Sequence, residues 1–203
     1  RGSAAAGAGA LSRAMSRPVL PESADVVIVG AGTAGGLLAH RLAERADREV
    51  LLLEDGPAAE PGSETTSLQR LPIGPGADRI RVIAELHGRP VVRGRGAGGS
   101  AAINGGYFLR QHAADIAAWP EPWPELAPAA YDAVDGGDSG GGLLSVNGVT
   151  DAELGDVPRA FEEFWRRHGL RERTGAWPVV GLNRVRSNVR DGRRMTTARM
   201  LSL

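Results

Sequence analysis

Three glycines and one acid carry the clearest chemistry in this chain. Gly30, Gly32 and Gly35 keep a GxGxxG spacing, and Glu54 follows at the end of an aliphatic run. Glycines so spaced let the backbone turn tightly, admit a pyrophosphate against it, and pack the next helix close to the preceding strand. A carboxylate about twenty residues further on suits ribose hydroxyls and favours an unphosphorylated ribose. A second constellation occupies residues 91–110, VVRGRGAGGSAAINGGYFLR. Its successive glycines would bring N–H groups up to a flat or anionic ligand, with Ser100 and Asn104 on one side if the turn is helical. Taken by itself the same stretch also reads as a plain glycine-rich loop.

These residues need elements to hold them. Val26–Val29 is a short β-branched run of the kind found in a parallel strand covered on both faces. A helix is predicted from Thr33, with Leu37, Leu38, Ala39 and Leu42 as its apolar stripe and its N-terminal N–H groups facing the phosphates. Val50–Leu53 is the second strand, which delivers Glu54. Strand, turn, helix, strand and acid in register predict an α/β, Rossmann-like unit that binds a dinucleotide, without separating FAD from NAD.

Composition narrows the remaining classes. The 203 residues carry 24 Lys plus Arg against 24 Asp plus Glu, so no net field favours nucleic acid. The cluster RVRSNVRDGRR, Arg184 to Arg194, is read as a solvated or anion-facing segment. Cysteine is absent, which excludes disulfides and thiolate chemistry and suits a cytoplasmic location. No apolar run approaches a membrane span. His40, His87, His112 and His168 lack metal-ligand spacing, so no metal site is expected. Gly137-Asp138-Ser139-Gly140-Gly141 matches the motif around a protease nucleophile, but no strand feeds Ser139 into a sharp turn and no base motif accompanies it.

The second glycine cluster resembles the first signature of the glucose–methanol–choline (GMC) flavoprotein oxidoreductases, Gly-Arg-x-apolar-Gly-Gly-Ser-Ser-x-apolar-Asn. Here it stands as Gly94-Arg95-Gly96-Ala97-Gly98-Gly99-Ser100-Ala101-Ala102-Ile103-Asn104. Leu53-Glu54-Asp55-Gly56-Pro57 is similar to the family's Leu-Glu-Ala-Gly-Pro, Asp115 with Trp119 to its Asp-x-x-x-Trp, and Arg193 to Leu201 to its Arg-x-x-x-Ala-x-x-Leu. The wording around Leu71-Pro72-Ile73 and Asn104-Gly105-Gly106-Tyr107 resembles the mycofactocin-associated branch most.

The resemblance implies FAD, with its pyrophosphate at Gly30, Gly32, Thr33, Ala34 and Gly35 and its adenosine ribose at Glu54. Arg95, Gly98, Gly99, Ser100, Asn104 and Gly105 would surround the flavin, and the Pro57 to Pro90 region would be the loop that covers it. It further implies hydride removal from a small-molecule alcohol, assisted by a histidine near the family's C-terminus. No residue of this chain matches that base, so the catalytic residue is unknown. The alternatives are a catalytically silent flavin- or nucleotide-binding module, or a GMC-like lyase with structural FAD.

The expected organisation is a mobile tail over 1–23, an FAD-binding region over 24–135, a flexible glycine connector over 136–142, and the start of a substrate domain with a return segment over 143–203. A family-like strand is expected to resume at Leu143–Val146. The substrate domain is expected to be incomplete, as in a fragment or truncated homologue completed by a second chain or a missing C-terminal part. Asp156 is read as the N-cap of a helix ending at Gly169, with Phe161, Phe164 and Trp165 on a core-facing side.

Overall fold

The computed structural model describes residues 19–69, 72–74, 76–84 and 88–201. His87, Leu71 and residues 1–18 of the expected tail lie outside the described residues.

The first unit is a parallel strand–helix–strand crossover. Strand β1 (Val26–Val29) pairs with β2 (Val50–Leu53) in the register Val26 to Val50 through Val29 to Leu53. Helix α1 (Thr33–Ala43) connects them and begins where the sequence places it. Helix and strand approach closely because Gly35 has no side chain: a Cβ there would lie 1.9 Å from the Gly30 carbonyl oxygen and 3.4 Å from Ile28 Cγ2. Ile28 is buried under α1. The expectation of a strand covered on both faces fails, since Val27 and Val29 are 54% and 82% exposed. Among the described residues α1 covers one side of this two-stranded sheet, and period-2 alternation turns Val27 and Val29 to the other. Of the expected apolar stripe Leu38 is half exposed and Ala39 is buried, and Gly36 joins Ala39 in the buried face of α1.

The Pro57 to Pro90 region holds more order than a covering loop. Helix α2 (Ser63–Thr66) is followed by β3 (Ile80–Ala84), which pairs antiparallel with β4 (Pro90–Gly94) from Ile80–Gly94 to Ala84–Pro90. The β-branched residues of both strands explain the hairpin. A 3-10 turn over Gly99–Ala102 then leads to β5 (Tyr107–Phe108), α3 (Ala113–Ala117) and α4 (Trp123–Asp135).

Helix α4 ends at Gly136, which takes φ +80 and donates its N–H to the Asp132 carbonyl at 2.8 Å. From there the chain does not form the loose connector that its glycines suggest. Gly141 and Val146 exchange two backbone hydrogen bonds of 2.8 and 2.7 Å, and the Asp138 carboxylate accepts the Ala176 N–H at 2.7 Å. Positive φ angles at Gly136, Gly137, Gly140, Gly141 and Gly142 let this segment coil onto itself, a conformation closed to bulkier residues. Leu143–Val146 lies in that turn, and the strand begins later, as β6 (Asn147–Gly148).

Helix α5 (Asp156–Arg167) is N-capped by Gly155, with Asp156 its first residue, and its chain reverses at Gly169 with φ +86. Its aromatic side is not core: Phe161 and Phe164 are 56% and 51% exposed. The helix is held instead by Glu162, which is buried and receives the Arg184 guanidinium at 2.6 and 2.9 Å. Short strands β7 (Glu172–Arg173) and β8 (Leu182–Asn183) pair in parallel. Strand β9 (Arg186–Ser187) sits between β5 and β6 and ties the later part of the chain to the earlier one. Strands β10 (Val189–Arg190) and β11 (Arg193–Arg194) form a hairpin whose turn residues Asp191 and Gly192 both have positive φ, the conformation an Asp-Gly two-residue turn provides.

One buried ionic knot joins these parts. Asp135, fully buried, receives Arg110 at 2.8 and 2.5 Å, Arg186 at 3.1 Å and the Gly137 N–H at 2.9 Å. The Arg110 guanidinium also lies 4.5 Å from the Trp177 ring centre and 5.4 Å from that of Tyr131. Burial pushes the Asp135 acid up, but the Arg110 guanidinium, the Gly137 N–H and Arg186 outweigh it and hold it below the usual carboxylate range.

Candidate cofactor site

The two glycine constellations, about sixty residues apart in sequence, meet in space. The Gly98 N–H donates to the Ala31 carbonyl at 2.9 Å, and a Cβ on Gly99 would fall 2.7 Å from Gly32 Cα. Gly99 also has φ +51, so both its conformation and its surroundings exclude a side chain. The return segment closes behind them. Its 3-10 turn, Thr197–Met200, packs on α1, and the Thr197 hydroxyl lies 3.5 Å from the Gly32 carbonyl.

The Glu54 carboxylate forms the junction between the loops. Oε2 accepts the Ala31 N–H at 2.7 Å, while Oε1 accepts those of Gly56 at 2.9 Å and Gly96 at 3.0 Å. One acid therefore fixes the first glycine turn, the end of β2 and the entrance of the second loop. A carboxylate offers about four lone-pair sites, so one remains for a ligand hydroxyl. Arg95 braces the same junction by donating to the Asp55 carbonyl at 2.8 Å, and Asp55 in turn is paired with Arg81. The Arg81 hydrogen bond holds the exposed Asp55 acid below the usual range.

Donors are left over for an anion. The N–H groups of Gly32, Thr33, Ala34 and Gly35, at the start of α1, have no acceptor among the described residues. Here the helix dipole and the free donors act together. Downstream, the Ser100 hydroxyl accepts the Gly94 N–H at 3.0 Å, and Asn104 Oδ1 accepts that of Gly106 at 2.8 Å. Ser100, Asn104 and Gly105 are exposed, whereas Gly96 to Gly99 are buried. The turn between Ser100 and Asn104 is helical enough to close a 3.0 Å bond from the Asn104 N–H to the Ser100 carbonyl.

Of the sequence-predicted positions, Gly32, Glu54, Arg95, Gly98 and Gly99 meet at this junction, Gly30, Thr33, Ala34 and Gly35 belong to the glycine turn and helix start beside it, and Ser100, Asn104 and Gly105 continue the second loop away from it. The three described histidines do not join it: His40 faces Glu44, His112 caps α3 by accepting the Ala114 N–H, and His168 contacts the Phe164 carbonyl. None of these three rings hydrogen-bonds Ser139. Sequence reasoning missed Arg194. It is 2% exposed and donates to the carbonyls of Asn104, Thr65 and Ser67, clamping the second glycine loop to α2. Within Arg193 to Leu201 the Arg-x-x-x-Ala-x-x-Leu spacing falls on Arg194, Ala198 and Leu201, and the hairpin register buries Arg194 while leaving its neighbour Arg193 exposed.

A strand–helix–strand crossover whose glycine turn is met by a second glycine loop defines a Rossmann-like dinucleotide-binding fold. No family model matches the chain. Individual proteins do. It is 32% identical over 207 residues to a pyridoxine 4-oxidase of Microbacterium luteolum, covering 86% of this chain and 38% of that enzyme. It is 39% identical over 108 residues to a GMC-type oxidoreductase of Rhodococcus erythropolis, covering 49% of this chain and 22% of the relative. The crystal structure of pyridoxine 4-oxidase from Mesorbium loti superposes with a TM-score of 0.73 at 31% identity, over 89% of this chain and 40% of that one. The chain belongs to the GMC oxidoreductase family; it spans about two fifths of the length of the two pyridoxine 4-oxidases and about one fifth of the Rhodococcus relative. Among the described residues no helix is long and apolar enough to cross a membrane.

Proposed function

We propose that this chain is the FAD-binding part of an oxidoreductase that takes hydride from a CH–OH donor. The observation that carries the reading is the meeting of Gly32 with Gly99, with Glu54 joining the two loops. The free N–H groups of Gly32, Thr33, Ala34 and Gly35 would hold the pyrophosphate of FAD, with Gly30 giving the turn its open backbone. Glu54 would give its remaining lone pair to the adenosine ribose. Arg95, Gly98, Gly99, Ser100, Asn104 and Gly105 would line the flavin end. FAD, when bound, supplies the hydride acceptor. The backbone around Ser100 to Gly105 would orient the ring and exclude water from one of its faces.

No residue of this chain is assigned as the base. We place that group, and the walls that select the alcohol, in the remainder of a longer polypeptide or in a second chain. The proposed boundary between the FAD-binding region and the substrate region is 136–142. A chain without cysteine suits a reducing compartment, and the proposal puts the protein in the cytoplasm.

The test is reconstitution. Refolding with excess FAD, followed by gel filtration, is expected to leave a flavin spectrum on the protein, with flavin fluorescence altered on binding. Failure to retain flavin while far-UV circular dichroism shows a folded chain would refute the cofactor assignment. Anaerobic addition of pyridoxine or choline to the flavin-loaded protein, with any completing chain present, tests the reaction by bleaching of the flavin band.

A further inference from the structure

The arginine-rich run Arg184 to Arg194 is divided by the fold into two groups. Arg184 and Arg186 are neutralised, the first by Glu162 and Asp151 at 2.6 and 2.7 Å, the second by Asp135 at 3.1 Å. Arg190, Arg193 and Arg194 have no carboxylate within 4.0 Å among the described residues. Arg190 and Arg193 are direct cross-strand partners in the β10–β11 hairpin, where facing like charges are unfavourable. Arg194 is buried, its Nη2 atom has no hydrogen-bond partner among the described residues, and burial pulls its guanidinium below the usual pKa.

This hairpin is one wall of an open cavity of about 490 Å³; the other wall is the Glu60 to Thr66 segment, and Arg199 contributes to the lining. Four guanidinium groups thus border the space against two carboxylates, Glu60 and Asp191, which leaves a surplus of two positive charges. Glu60 is itself 3.6 Å from Arg199, so the acids do not reach Arg190 or Arg193. Ser63 and Thr66 add hydroxyls to the lining. None of the residues assigned to the FAD cradle lines this cavity.

We propose that this cavity is a second anion site, taking a doubly charged phosphate-type oxyanion between the β10–β11 hairpin and α2. Planar guanidinium forks suit tetrahedral oxyanions bound through two oxygens, and a dianion cancels the surplus charge that the fold leaves uncompensated. Because Arg194 also holds the Asn104 carbonyl, the anion would brace the far side of the flavin loop.

The experiment titrates inorganic phosphate into the flavin-free chain at constant ionic strength, using calorimetry and thermal melts, with succinate as a carboxylate dianion in parallel. Saturable phosphate binding is expected, with affinity reduced at least tenfold in the double variant Arg190→Gln, Arg193→Gln. Both side chains are exposed, so the variant should keep the wild-type melt in sodium chloride. Phosphate that fails to saturate, undiminished affinity in the double variant, or stronger binding of succinate would each overturn the proposal. Competition between phosphate and FAD would also overturn it, by assigning the arginines to the dinucleotide cradle. The phosphate titration needs no flavin, so its outcome is independent of whether FAD binds.

Discussion

Replacing Glu54 by Gln changes one atom and should separate two roles for this acid. The carboxylate accepts three backbone N–H groups, two on Oε1 and one on Oε2. In Glu54→Gln, the amide can keep its oxygen towards Gly56 and Gly96, which turns its NH2 against the Ala31 N–H. That replaces a 2.7 Å charge-assisted bond by two opposed donors. Hydrogen bonds to charged groups contribute about 1.5–3 kcal/mol, and the group is half-buried, so a loss of about 2 kcal/mol is expected for the flavin-free chain. For a chain of this size that lowers the melting temperature by roughly 4–8 °C. Glu54→Ala orphans all three donors and should cost about 3–4 kcal/mol. Urea unfolding followed by circular dichroism measures both, and a fluorescence titration gives the FAD affinity alongside. If Glu54→Gln unfolds within about 0.5 kcal/mol of the wild type while FAD binding weakens, the acid serves the ribose alone and the junction argument is wrong.

Four further outcomes follow from the geometry. Gly99→Ala forces a methyl group to 2.7 Å from Gly32 Cα at a positive φ, and should abolish FAD retention in gel filtration while leaving the α-helical signal in place. Asp135→Ala leaves Arg110 buried without its main counterion and should cost about 3–5 kcal/mol in urea unfolding. The same acid gives a pH dependence: its folded pKa lies below the unfolded one, so its stabilisation is complete above about pH 4 and is lost as pH falls through the folded value. Asp135→Asn should flatten that acid limb, and an unchanged limb would show that other carboxylates govern it. Phe164→Ala should cost only about 1 kcal/mol, the contribution of its edge-to-face contact with Trp165, rather than the 3–5 kcal/mol of a buried phenylalanine.

The sequence by itself determined the first crossover and the cofactor motifs, because each is local. A β-branched run, a glycine turn and a helix start lie within a few residues of one another, and the side chains or their absence dictate the backbone. Gly30 to Gly35 and the start of α1 at Thr33 were legible for that reason. Sequence periodicity could not decide what covers each element. Val27 and Val29 have the composition of an interior strand, yet no described element lies over them, and the aromatic side of α5 is exposed for the same cause. Nor does composition reveal which glycines coil: residues 136–142 read as a loose linker, but bonds to Val146 and Ala176 order them. Only the tertiary structure decided that Glu54 ties three loops, that Arg194 clamps the second glycine loop to α2, and that Arg110 and Arg186 share Asp135. Those choices depend on groups brought together from distant parts of the chain, where burial makes an unpaired charge costly and the fold selects which partner is within reach.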